Sequence, residues 1–198
     1  MRIFLIGMVL LFTCSYKAQN NKKLESEIIS LYKVNGKDIQ NCRRESKELR
    51  KNKFDETTIK TIQDACTARL EYLNFFKSNT LKMLEKTSSE KDFLIVNYIS
   101  DNVPIPYSTK TIIKIDNNYH GLKHYFEDKD SQFIDKNEEF EVSKFEKEII
   151  EKIEGYLKTG KSEYVSNKSN GLIGIYTHWS VVAKSNAKIK MIELFKIK

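Results

Sequence analysis

The sequence predicts an α+β protein: an N-terminal antiparallel helical hairpin, then an antiparallel sheet of about four to five strands covered by one helix. Three observations carry this. Apolar residues recur at spacings mostly of three and four from Ile59 to Leu84, the period of one helical face. From Phe93 the pattern changes to β-branched runs parted by short polar turns, as antiparallel strands read. Ser143 followed by Glu146 then opens a further helical stretch between strand runs, the pattern of a capping box.

The chain begins MRIFLIGMVLLFTCSYKAQ. Arg2 precedes an unbroken apolar run from Ile3 to Phe12, and a polar end follows. An apolar core of about 7–15 residues is that of a secretory signal, too short to span a bilayer. Residues 1–19 are therefore expected to be a signal peptide. Two processing routes are open. Cleavage near Ala18 or Gln19 suits the small Ala18, although Tyr16 is bulky for its position. Alternatively, Leu11-Phe12-Thr13-Cys14 is a lipobox with Thr13 where a smaller residue is usual, and Cys14 becomes the lipidated first residue. The protein is thus expected to be periplasmic or secreted, or lipid-anchored through Cys14. No later stretch approaches about 18 apolar residues, so no transmembrane helix is expected after the signal.

Residues 20–87 read as the hairpin module. Asp55 is placed to cap the second helix, whose stripe includes Ile59, Ile62, Cys66, Leu70, Leu73, Phe76, Leu81 and Leu84. A weaker stripe of Leu24, Ile28, Leu31, Ile39, Cys42 and Leu49 precedes it, and Asn35-Gly36 could interrupt it. The short polar connection around Phe54 folds the two helices antiparallel. Cys42 and Cys66 are equidistant from Phe54, which sets them at one height. A disulfide needs α-carbons within about 7 Å, so the helices would have to approach closely there. In an oxidising compartment this pair is expected to bond.

Residues 88–198 read as sheet plus helix, packed as one unit with the hairpin. Phe93 to Ile99 and Thr109 to Asp116 are strands, the latter turning at Asn117-Asn118 into Tyr119–Phe126. The charged segment from Glu127 to Asn137 reads as a loop. Phe145, Ile149, Ile153 and Tyr156/Leu157 form the buried face of the helix that Gly160 ends. Strands from Leu172 to Ala183 and from Lys188 to Ile197 follow, turning around Ser185-Asn186.

Charged residues make up 31% of the chain and apolar ones 40%, with seven glycines and two prolines. That is a globular composition without long flexible linkers. The formal charge of +7 falls by two if Arg2 and Lys17 are removed with the signal. Basic sets at Arg43, Arg44, Lys47, Arg50, Lys51, Lys53 and at Lys184, Lys188, Lys190, Lys196, Lys198 could attract anionic surfaces weakly. Solvated helix faces and edge-strand lysines that discourage aggregation are the commoner explanation of such sets. Nucleic acid is a poor partner, since no aromatic residues interleave the helical set and an exported protein seldom meets it.

Candidate chemistry is sparse. On a strand His120 and His124 would stand about 13 Å apart, too far to share a metal unless Gly121 bulges sharply. His178 and Ser180 share a strand face, opposite Trp179, without the geometry of a nucleophile and its base. If a small molecule binds, Tyr176, His178 and Ser180 form the candidate face. Asp128-Lys129-Asp130 with Glu139 lacks the glycine of a calcium loop, having Phe133 in its place. No catalytic, cofactor or metal residue is assigned. The reading is an exported bacterial binding protein without catalytic activity, its partner an envelope protein or glycan. The alternatives are a secreted hydrolase using His178 or His120 and His124, and an inhibitor or toxin-neutralising protein.

Overall fold

A computed structural model describes residues 19–33, 47–88, 90–99, 108–129, 132–167 and 178–197. Cys14, with the rest of 1–18, and Cys42 and Tyr176 lie outside them, as does the side chain of Cys66. The expected Cys42–Cys66 pairing therefore lies outside the described residues. Within 20–87 the described helices are α1 (19–31), α2 (47–51) and α3 (Glu56–Leu84). This does not match the expected two-helix hairpin: a short α2 and a long α3 flank the turn at Phe54. Asp55 caps α3 as its sequence position implies, accepting from the backbone N–H of Thr58 at 2.9 Å. Just before it, Lys53 turns the chain in the left-handed region at φ 58°.

The sheet has seven strands rather than four to five: β1 (Phe93–Ile99), β2 (Thr109–Ile115), β3 (Asn118–Lys129), β4 (Gln132–Phe140), β5 (Val165–Ser166), β6 (His178–Ser185) and β7 (Lys188–Lys196). Their order is β4-β3-β2-β1-β6-β7-β5, and every pairing is antiparallel. The predicted loop over 127–137 is the correction behind part of this count. It is a ribbon in which β3 and β4 stay paired from Tyr125 to Lys129, beyond the last pairing with β2 at His124. Beyond Phe126, which still meets Phe75 of α3, the described side chains are exposed, so the apolar alternation by which a strand is read is lost. The β2–β3 turn also begins one residue earlier than expected, with Asp116 at φ 54°.

Helices cover both faces of the sheet rather than one. Alternate residues of β1 go to different cores. Phe93, Ile95 and Ile99 join Leu24 and Ile28 of α1, Tyr32 just beyond it, and Phe76 and Met83 of α3. Leu94 and Val96 join Ile150 and Ile153 of α4 (Lys144–Thr159), with Trp179 and Leu194. A strand buried on both faces needs apolar residues on both, which is why Phe93–Ile99 reads as a continuous run.

The sequence signals for α4 hold at both ends. Ser143 and Glu146 form the reciprocal capping box, and Gly160 ends the helix at φ 70°. Lys110 pairs with Glu146 and Lys114 with Glu154. Four residues of strand cover about 13 Å and eight of helix about 12 Å, so these two pairs lay α4 along β2 in the same direction. Phe145, expected on the buried face, is instead 65% exposed. In its place Glu146 turns inward, held by the cap and by Lys110.

Candidate functional site

The three histidines do not converge. His124, opposite Thr109 in the register, is buried beneath α3, its ring stacked on Phe75 at 4.7 Å. Its Nε2 lies 2.6 Å from Asp135 Oδ1 on β4. His178 belongs to β6, three strand spacings from β3 and so about 14 Å away. It stacks on Phe195 at 5.2 Å, with Glu193 at 3.9 Å. His120 is exposed, and the β2–β3 register runs unbroken through Gly121, so no bulge brings it toward His124. Gly121 serves another purpose: a Cβ there would come within 2.7 Å of the Phe140 ring and 2.8 Å of its carbonyl oxygen. Among the described residues no three His, Cys, Asp or Glu side chains come together as metal ligands.

Of the predicted binding face, His178 and Ser180 do share one side of β6, and that side lies under α1 and α3. Ser180 is fully buried there. Around it is a polar cluster that the sequence does not announce. The Asn97 amide N–H groups donate to the hydroxyls of Tyr32 at 3.1 Å and Thr80 at 3.2 Å, and to the Ser180 carbonyl at 3.4 Å. Its Oδ1 accepts from the Thr111 hydroxyl at 2.7 Å. The Tyr32 and Thr80 hydroxyls meet at 2.8 Å. Burial pushes the Tyr32 phenol up to about 12 against the opposing bonds from Thr80, Ser180 and Asn97. The Tyr32, Thr80 and Thr111 hydroxyls are satisfied within the protein, which ties the layers together at this point.

The other face carries the open surfaces. Glu146 there accepts from Tyr98 Oη at 2.6 Å, Lys110 Nζ at 2.8 Å, Ser143 Oγ at 2.7 Å and Ser143 N at 2.9 Å. Burial alone would raise its pKa; the bonds from Lys110, Tyr98 and Ser143 outweigh that and bring it down to about 2. The Tyr98 phenol moves up, through burial first and the bond to anionic Glu146 second. Beside this carboxylate lies a groove of about 430 Å³, lined by Tyr98, Phe140, Phe145 and Ile149 among others. The Lys110 ammonium sits 4.6 Å over the Phe140 ring. A second depression, of about 350 Å³, lies on the other side of the segment from Phe140 to Val142, between Tyr119, His120 and Lys147.

The groove was not legible in the sequence. Its one available signal is Gly121, since an isolated glycine in a strand marks a close approach, here that of Phe140. The groove holds an ionised carboxylate with all its strong donors already engaged, and an exposed aromatic ring at its rim. Comparison with known proteins found no matching family model, no matching curated protein and no matching solved structure.

Proposed function

We propose that this chain is an exported protein of the bacterial periplasm or cell envelope that acts by binding, without catalysis, through the groove beside α4. The observation that supports it is the separation of the reactive side chains. His124 and His178 each face their own carboxylate and their own phenylalanine on different strands, and Ser180 is sealed under α1 and α3. A hydrolase on these residues needs two groups and a carboxylate to meet in one opening. The two grooves described here contain only His120 among the histidines. An aromatic, partly polar concavity is the ordinary form of a recognition surface.

The test uses the immobilised mature protein and an envelope extract from the native host. A protein or glycan retained by the wild type and lost by Phe145→Asp is the expected result. Equal retention by both, or none by either, counts against the groove as the binding surface. Export has its own measurement. The intact mass of the native protein should lack the segment ending at Ala18 or Gln19, or should begin with lipidated Cys14. A further change of two hydrogens on reduction reports the Cys42–Cys66 bond.

A further inference from the structure

We propose that the partner of this groove is a second copy of the chain, related by a two-fold axis. The inference rests on reading the groove as an interaction surface and adds the identity of what fills it. Phe145 projects from the first turn of α4 with 65% of its surface exposed, the largest exposure of any large apolar side chain among the described residues. The groove beside it is lined by Tyr98, Phe140 and Ile149. A knob adjacent to its own hole suits an isologous contact, in which each copy seats its Phe145 in the other's groove.

The surrounding charge points the same way. Lys144 and Glu148 are exposed, one helical turn apart, on either side of Phe145 in the sequence. When two such helices cross antiparallel about a two-fold, Lys144 of each copy meets Glu148 of the other. A surface bearing both signs complements itself. It does not select an acidic polymer, because the Lys110 charge is already spent on Glu146. Nor does it offer a sugar the Phe140 ring, over which the same ammonium lies.

Sedimentation of the purified mature protein over a concentration series tests this. A monomer–dimer equilibrium is expected. Phe145→Asp should weaken it by roughly thirtyfold or more, as for a central aromatic anchor. The exposed ring can be replaced without disturbing the core, and circular dichroism checks that. Phe54→Asp, at an exposed residue in the turn before α3, should leave the equilibrium unchanged. Lys144→Glu and Glu148→Lys should each weaken it by about tenfold. The double variant should recover to near wild type, because both copies then carry the exchanged pair. A monomer at every concentration, a dimer indifferent to Phe145→Asp, or a double variant no better than the single ones overturns the proposal. If the protein is monomeric yet retains an extract component that Phe145→Asp loses, self-pairing falls while the binding reading stands. If Phe145 matters to neither measurement, both fall.

Discussion

Asn97 and Glu146 show how single polar side chains are made safe inside this fold. Asn97 is fully buried and satisfied on both its amide nitrogen and its oxygen. Asn97→Leu strands the Thr111 donor and removes the donor that Tyr32 and Thr80 share. We expect a loss of about 2–3 kcal/mol, read as a lower urea midpoint at unchanged slope. Glu146 is a case for pH. Its folded pKa of about 2 lies below the ordinary 4.5, so its contribution is complete above about pH 4.5. It drains away as pH falls toward 2. Unfolding free energies should therefore fall between pH 5 and 2 through this group, by about 1–2 kcal/mol once solvent screening is allowed for, and Glu146→Gln should flatten that part of the profile. Asn97 was hidden in an apolar run, because the strand pattern records which face a residue takes and not what waits there. Glu146 was visible as a cap residue, but not as the acceptor of Tyr98 and Lys110, which are distant in sequence.

At the scale of elements, the caps were the most legible features, since they depend on local backbone needs. Asp55, Ser143 and Gly160 all stand where their chemistry implies. Ser143→Ala removes the hydroxyl from both the Glu146 N–H and the Glu146 carboxylate. It should cost about 1 kcal/mol, measured by thermal unfolding. Phe145 misled because its spacing to Ile149 and Ile153 fits the stripe, while the first turn of α4 turns Glu146 inward instead. The β3–β4 ribbon was missed for the opposite reason: beyond Phe126 its described side chains are exposed, and it has no buried stripe to show. Within that pair Gly121 is tightly constrained. Gly121→Ala should destabilise by about 1–3 kcal/mol. Trimming the ring with Phe140→Leu should rescue only part, because the added Cβ would still meet the Phe140 carbonyl oxygen.

Over the whole molecule, the sequence conveyed the class, the antiparallel pairing and the single helix after the first strands. It did not convey that helices lie on both sides. Periodicity identifies a buried face but not the layer that buries it, and the strongly apolar β1 was the clue. The strand order depends on pairings between distant segments, which no local pattern encodes. The oxidation state belongs to this scale as well. We expect the mature, unreduced protein to carry no free thiol by thiol titration; two free thiols would leave Cys42 and Cys66 as reduced residues.

The pairing of β1 with β6 sets an order of assembly. β1 occupies the middle of the sheet, and residues 180–184 must arrive before its second edge is filled. A chain still emerging from a ribosome or a translocation pore therefore holds β1 half-paired until β6 is free. Long-range closure of this kind is slow, and the waiting edge is apolar and sticky. The β6–β7 hairpin is the keystone: without it, the remaining chain should be captured by chaperones rather than accumulate as a smaller folded domain.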